Sequence, residues 1–274
     1  MKKIAVLTMH GMGKTGRNYA KGIHDSLAQR VGEVAWNESV YFHPIYYQDI
    51  LQGNQNAVWA RTKGQVDWKK LRQFFLFSFS DATSLESNKA GDNSAYYLTQ
   101  SVILDALTNA YHELEKAGPL VIIAHSLGCQ VISNYLWDAS RPRGASAGVW
   151  QKQPAGIPVD GPLNRFARGK TLRRLFTTGC NIPIFVAGQR DIRPIPKPNK
   201  AFQWHNYYDE DDVLGWPLRP LSARYRKLVN DHEINAGGGL FGGVMKSWNP
   251  LSHGEYWDDG EVLGPVSSFI RSKI

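Results

Sequence analysis

Short apolar runs alternate along this chain with longer stretches of helical periodicity. Such alternation is typical of a mostly parallel sheet covered by helices. Several of the runs are continuously apolar, as expected for strands that are buried on both faces. The runs predict strands near Ile4–Thr8, Val40–Tyr46, Leu120–Ala124, Ile182–Ala187, Gln203–Tyr208 and Val229–Ile234.

Two helices are predicted from apolar residues that recur at helical spacing. The first covers about Ser94–Lys116, and Gly118 and Pro119 would stop it. The second begins at Ser126, and its apolar face includes Val131 and Ile132. Together with the strands, these helices predict an α/β fold.

Two long stretches interrupt the alternation and predict insertions into a single domain that covers residues 1–274. Residues 52–93 hold the aromatic run Phe74–Phe79, which predicts either a helical lid over a site or an ordinary buried helix. Residues 141–171 are rich in glycine, proline and basic residues and predict a loop insertion.

The net charge of +8 is concentrated in one segment. Between Arg141 and Arg174 there are eight basic residues and one acid, Asp160. This segment is interpreted either as a solvated loop or as a patch for an anionic partner such as a membrane surface. No nucleic-acid-binding motif accompanies it, so no nucleic-acid partner is expected.

The cysteine content predicts the cellular compartment of the protein. The two cysteines, Cys129 and Cys180, have no metal-type spacing and favour a reducing, cytoplasmic compartment without a disulfide framework. The apolar start of the chain stops at His10 and is interpreted as a core strand rather than a signal peptide. No apolar run approaches the roughly 20 residues of a membrane helix.

The segment Ala124-His125-Ser126-Leu127-Gly128 carries the strongest chemical signal. It joins an apolar strand to an amphipathic helix and matches a G-x-S-x-G turn with alanine at the first glycine. Small residues two before and two after Ser126 would let the chain turn sharply. The turn would hold Ser126 in a strained conformation, above the sheet, with the Leu127 amide facing a reacting oxygen.

The glycine-rich turn His10-Gly11-Met12-Gly13 after the first strand has two interpretations. It is either an oxyanion loop, with the amide of Met12 or of Gly13 as a donor, or part of a phosphate loop ending in Gly13-Lys14-Thr15. Thr8 occupies the position of the first glycine of a phosphate loop, which favours the oxyanion loop. In that interpretation His10 braces the loop, and Lys14 and Thr15 begin the next helix.

With these two motifs, the chain resembles the α/β-hydrolase superfamily, and within it bacterial lipase- and esterase-like serine hydrolases of unassigned substrate. The resemblance covers most of the chain and is weak in the two insertions. It implies an α/β-hydrolase fold and a catalytic triad in the order serine, acid, histidine. It also implies that the acid and the histidine lie on loops at the strand ends.

His232 and His253 are the histidines that follow a candidate acid. His232 lies inside a predicted strand, where a structural role is usual, whereas His253 lies in a loop before the last helix, where the resemblance places the base. The resemblance also implies that Asp212 is the acid. Asp209 and Asp211 remain alternatives, and Asp191, which follows the preceding predicted strand, is a less favoured alternative.

The predicted function is hydrolysis of carboxylic esters through an acyl-enzyme, with no cofactor and no metal. The expected partner is a small-molecule ester, and the aromatic residues near 68–79 would suit an acyl chain. Two alternatives remain: a nucleotide-binding protein that uses Gly13-Lys14-Thr15, and a catalytically silent hydrolase fold that acts as a binding module.

Overall fold

The core of the molecule is a six-stranded, all-parallel sheet. The structure is a computed structural model, and its strand order is β2-β1-β3-β4-β5-β6. It describes residues 1–13, 15–65, 67–69, 72–73, 76–77, 80, 91–142, 144–236 and 252–274, with backbone alone at 52–54 and 252–254. The strands are β1 (Ile4–Met9), β2 (Val40–Ile45), β3 (Leu120–His125), β4 (Leu172–Thr178), β5 (Gln203–Tyr208) and β6 (Val229–Glu233).

Helices cover both faces of this sheet. They are α1 (Lys21–Val31), α2 (Glu33–Ser39), α3 (Gln48–Thr62), α4 (Ala95–Glu113), α5 (Leu127–Ser140), α6 (Pro162–Ala167), α7 (Ile182–Val186), α8 (Ala223–Leu228) and α9 (Gly260–Arg271). Short 3₁₀ turns occupy Lys63–Gln65, Gly148–Trp150, Arg219–Leu221 and Ser252–Asp258. The predicted α/β fold class, a mostly parallel sheet flanked by helices, is confirmed.

The two sides of the sheet bury separate apolar cores because side chains alternate along each strand. Ala5, Leu7 and Met9 of β1 pack with α4 and α5, whereas Ile4 and Val6 pack with α1 and α9. A strand that is buried on both faces reads as one continuous apolar run, which is why β1 and β3 were predictable from sequence.

The fourth strand was wrongly predicted. Residues Ile182–Val186 form α7, and the strand beside β3 is Leu172–Thr178. Pro183 lies in the first turn of α7, where its missing N–H costs nothing, whereas a central strand would need that donor. β4 was not predicted because Arg173 and Arg174 interrupt its apolar run. The guanidinium of Arg174 packs 4.2 Å from the centre of the Phe269 ring.

The predicted helix over Ser94–Lys116 is confirmed, with a different end. The Ser94 side chain accepts a hydrogen bond from the Tyr97 amide and caps α4. The helix stops at Glu113, before the glycine and proline expected to end it, because Leu114 turns to an extended conformation and pairs with Lys2.

The structure covers the second predicted insertion more completely than the first. Most of residues 66–90, including Phe74, Phe75 and Phe79, lies outside the described residues. Phe77 is buried, and Trp68 is 76% exposed. Residues 141–171 hold α6 and a 3₁₀ turn, and their Trp150 and Phe166 belong to the apolar core, so this segment is packed more closely than a solvated loop. Among the described helices, none is long and apolar enough to span a membrane.

Gly128 lets the start of α5 lie directly on the end of β1. A Cβ atom at this position would be 2.7 Å from the carbonyl oxygen of His10 and 2.9 Å from that of Met9. Both contacts are to backbone, which cannot rotate away. The crowding predicted for this position from sequence is therefore present.

Gly128→Ala is expected to lower the free energy of unfolding by about 1–3 kcal/mol, because the new methyl group must push α5 away from β1. Gly22→Ala in α1 is the matched control. The nearest atom to its new Cβ would be 3.7 Å away, an ordinary contact, so stability should stay unchanged or rise slightly. Urea denaturation of both variants measures the difference, and equal stabilities would contradict the close approach.

Candidate active site

Ser126 lies at a sharp turn between β3 and α5. Its backbone has φ 51° and ψ −120°, in a region that residues with a Cβ rarely adopt. The Ser126 amide donates to the carbonyl oxygen of Thr178 at 2.9 Å, which ties the turn to β4. The strained turn predicted from sequence is thus present, and the next residue, Leu127, begins α5.

The Ser126 side chain faces a small, half-open pocket at the carboxyl ends of the strands. The residue is buried, and its hydroxyl has no hydrogen-bond partner among the described residues. A buried polar atom without a partner is uncommon and requires an explanation. The pocket has a volume of about 200 Å³ and is lined by His10, Gly11, Met12, Thr15, Tyr19, His125, Ser126 and Trp257.

The loop after β1 passes directly over Ser126. A Cβ atom at Gly11 would be 2.8 Å from the Ser126 Cβ and 3.3 Å from its Oγ, so only glycine fits there. Met12 follows immediately and lines the same pocket. On the other side, Leu127 occupies the first position of α5, where amides lack intrahelical partners and the helix dipole is positive.

His10 braces this loop from beneath. Its Nδ1 lies 2.8 Å from the carbonyl oxygen of Gly11, and its Nε2 accepts from the Tyr47 amide at 3.3 Å. The Tyr47 ring stacks on the imidazole at 4.0 Å, and its hydroxyl donates to the His10 carbonyl oxygen. Burial lowers the pKa of His10 to about 4, so the ring is neutral, with its proton on Nδ1.

The same loop does not form a phosphate loop. Thr8 is buried within β1, and the helix that follows begins at Lys21 rather than directly after Thr15. The prediction that Thr15 begins this helix is wrong, because Thr15 is not helical; Lys14 lies outside the described residues. A phosphate loop needs amides at a helix start directly after the lysine, and this arrangement does not supply them.

Of the candidate acids, Asp212 and Asp209 are buried, whereas Asp211 and Asp191 are exposed. Asp191 forms ion pairs with Arg193 and with Arg224, the latter at 2.8 Å between Oδ1 and Nη1. Asp211, which is exposed, and Asp191, which is exposed and ion-paired, are therefore surface carboxylates. The choice of acid therefore narrows to the buried pair.

Backbone amides occupy both oxygens of Asp209. Oδ1 accepts from the Asp211 amide at 2.9 Å, and Oδ2 accepts from the Ala236 amide at 2.8 Å. These bonds fold the turn after β5 and hold the end of the segment that follows β6. Asp209 therefore has a structural role in the turn.

Asp212 contacts the segment that carries His253. Its Oδ2 accepts from the hydroxyl of Tyr256 at 2.8 Å, and its Oδ1 accepts from the Leu214 amide at 3.0 Å. Burial, followed by the nearby Asp212 charge, raises the pKa of Tyr256, which keeps this hydroxyl protonated as a donor.

His253 belongs to the 3₁₀ turn Ser252–Asp258. Its side chain lies outside the described part of the structure, so its contact with Ser126 stays a prediction. Two later residues of the turn do reach the site: Tyr256 bonds Asp212, and Trp257 lines the Ser126 pocket. The turn therefore passes between the candidate acid and the candidate nucleophile.

His232, the other histidine considered, packs within the sheet. Its Nε2 lies 3.0 Å from Nδ1 of His205, and its ring stacks on Tyr207 at 4.7 Å. Burial lowers the pKa of both histidines. The structural role predicted for His232 agrees with these contacts.

Sequence reasoning missed the aromatic residues of the site. Tyr256 and Trp257 follow His253 within four positions, so their closeness in sequence to the candidate base was a usable signal. Tyr19 gave no local signal, because its place in the pocket depends on contacts with β1 and β2. His125 was seen only as part of the turn motif, yet it lines the pocket, and its Nδ1 lies 3.2 Å from Thr178 Oγ1.

Within the described residues, no group of three His, Cys, Asp or Glu side chains is placed to hold a metal ion. Cys129 and Cys180 are both buried and not disulfide-bonded. Neither observation adds a cofactor to the chemistry that Ser126 and its surroundings can perform.

The chain matches no protein-family model and no curated protein. Among solved structures it is similar to an acetylxylan esterase (TM-score 0.44, 10% identity, 99% of this chain and 98% of that chain). It is also similar to a cutinase-like protein from Cryptococcus sp. (TM-score 0.42, 8% identity, 99% and 94%). A lipase/esterase from Lactobacillus plantarum gives a TM-score of 0.41, with 12% identity over 86% of this chain and 79% of that chain.

At identities of 8–12% and TM-scores below 0.5, these similarities decide nothing about the reaction. The chemistry has to be inferred from the residues around Ser126.

Asp209→Ala is expected to lower the free energy of unfolding by about 2–4 kcal/mol, because it leaves two amides without their acceptor. Asp211→Ala removes a neighbouring exposed carboxylate and is expected to change stability by less than about 0.5 kcal/mol. Chemical denaturation of the two variants tests the assignment. A stable Asp209→Ala protein would show that its amide bonds do not fold the turn.

His10 makes stability depend on pH. The unfolded state binds a proton near pH 6.5 and the folded state only near pH 4, so the His10 contribution is complete above pH 6.5 and is lost as the pH falls toward 4. About 2 kcal/mol of it should disappear between pH 7 and pH 5.

In His10→Gln this part of the pH dependence should vanish, whereas His112→Gln, on the exposed side of α4, should retain it. Urea denaturation at pH 7 and pH 5 provides the comparison. An unchanged difference between the two pH values in His10→Gln would contradict a neutral, buried His10.

Proposed function

We propose that this protein is a serine hydrolase that acts on carboxylic esters. The observation that carries the proposal is the strained Ser126 turn, whose buried hydroxyl faces a pocket between the Gly11 loop and the first amides of α5. Backbone strain costs stability, and so does a buried hydroxyl without a partner among the described residues; such costs concentrate at functional sites.

In the proposed reaction Ser126 Oγ attacks the carbonyl carbon of the ester while His253 takes its proton. The negative charge that develops on the carbonyl oxygen is stabilised by the amides of Leu127 and Met12, each worth about 10²–10³ in rate. Collapse of the intermediate breaks the bond to the alcohol, which leaves with the proton from His253. Water then attacks the acyl-enzyme by the same route and releases the acid and free Ser126.

Asp212 is proposed as the residue that orients His253 and stabilises its positive charge. The hydrogen bond from the Tyr256 hydroxyl supports this choice, because it joins the buried Asp212 side chain to the turn that carries His253. The Asp209 side chain instead binds the backbone amides of Asp211 and Ala236. Tyr256 would act as a positioning residue, because it fixes the Asp212 carboxylate and belongs to the same 3₁₀ turn as His253.

Ser126→Ala is expected to lower kcat for p-nitrophenyl acetate by about 10⁴–10⁶-fold and to abolish labelling by a fluorophosphonate probe. Asp212→Asn should lower kcat by about 10⁴-fold, because it removes the charge that fixes the histidine tautomer. Asp211→Asn serves as the matched control and should stay within about twofold of the parent.

Peptide mapping of the labelled protein identifies the modified residue. Labelling that persists in Ser126→Ala, or a folded parent protein that neither labels nor turns over any ester, would overturn the proposal. The second of these outcomes is the one expected of a catalytically silent binding module.

A further inference from the structure

The size of the pocket beside Ser126 limits what can be attached to this serine. A cavity of about 150 Å³ accommodates benzene, with six carbon atoms. By the same ratio, the pocket of about 200 Å³ accommodates about eight non-hydrogen atoms. An acyl group of up to about six carbons fills this space, and a longer chain must extend beyond the described lining through the open side.

Hydrogen bonds fix the two aromatic walls of the pocket. The Tyr19 hydroxyl lies 2.8 Å from the carbonyl oxygen of Thr8 and 3.0 Å from that of Ile45, so it is anchored in the sheet. The Trp257 indole N–H donates to Thr178 Oγ1 at 3.1 Å. The two ring centres are 5.9 Å apart. Turning either ring outward would break these part-buried hydrogen bonds, so widening the pocket would cost free energy.

The described lining of the pocket contains no Asp, Glu, Lys or Arg side chain. None of its residues is a carboxylate, an ammonium or a guanidinium, and His10 is neutral because burial lowers its pKa to about 4. A charged acyl group placed here would lose its hydration without gaining a carboxylate, ammonium or guanidinium counter-ion from the described lining. The lining therefore favours an uncharged acyl group.

We propose that the substrate of Ser126 is an ester of a short, uncharged carboxylic acid of two to about six carbons, and that Trp257 sets the upper limit of this range. The proposal rests on the proposed function, because it assumes that Ser126 is acylated. It departs from the expectation that the aromatic residues near 68–79 hold an acyl chain, since Phe77 is buried and Trp68 is exposed.

A series of p-nitrophenyl esters from acetate to dodecanoate tests the range in the parent protein. Because each buried methylene contributes about fourfold to binding, kcat/KM should rise up to about hexanoate and then level off or fall. A rise that continues to dodecanoate would overturn the size limit while leaving the proposed function intact. Absence of turnover and of Ser126 labelling would overturn both.

Trp257→Leu is expected to move the optimum to longer acyl groups, raising the dodecanoate-to-butyrate ratio of kcat/KM by about tenfold or more. The ratio cancels any general loss of activity caused by movement of the His253 turn. Trp257→Phe should give an intermediate ratio and provides the test if the leucine variant does not fold.

Trp216→Leu is the matched control. Trp216 is 44% exposed and lines a separate apolar groove with Ile184 and Leu221, so the acyl profile should not change. A lower dodecanoate-to-butyrate ratio in this variant would instead place the acyl chain in that groove and overturn the proposal. A series of acetate esters with different alcohols completes the test, since size selection on the alcohol alone would assign the pocket to the leaving group.

Discussion

The contact between the start of α5 and the end of β1 is the constraint on which the site depends. Gly128 allows the helix to meet the carbonyl groups of Met9 and His10, and Gly11 allows the next loop to cross Ser126. These two close approaches bring the loop amides and the helix amides to opposite sides of one hydroxyl. A larger residue at either glycine would separate them and open the arrangement to water.

The arrangement has an unfavourable free energy at Ser126, and contacts with the surrounding strands and loop offset it. A positive φ at a serine and a buried hydroxyl without a partner among the described residues are both unfavourable. The turn is held because β3 lies between β1 and β4 in a fully parallel sheet, and because the Ser126 amide bonds to Thr178. His10 adds support from below, bonded through both ring nitrogens. Strain of this kind persists only where such contacts over-determine the backbone.

Sequence reasoning succeeded where the physical cause lies within a few consecutive residues. The turn at Ser126 was predictable because a strand, small residues and a helix follow one another directly. The fourth strand was missed because Arg173 and Arg174 break its apolar run, while their stems lie half-buried along the sheet. Asp209 and Asp212 could not be separated from sequence, since their roles depend on partners at Ala236 and Tyr256 that come from later segments. The place of Tyr19 in the pocket could not be predicted for the same reason, because its hydroxyl bonds to carbonyl oxygens on β1 and β2.

The adjacency of Tyr256 and Trp257 links two properties that could otherwise vary separately. One residue holds the Asp212 carboxylate, and its neighbour forms a wall of the pocket. Both belong to a single short turn, so a backbone shift that enlarges the pocket also displaces the support of the acid. If the protein is the proposed hydrolase, substitutions outside this turn would therefore be the better way to broaden its selectivity, because substitutions within the turn that admit larger acyl groups would also lower turnover.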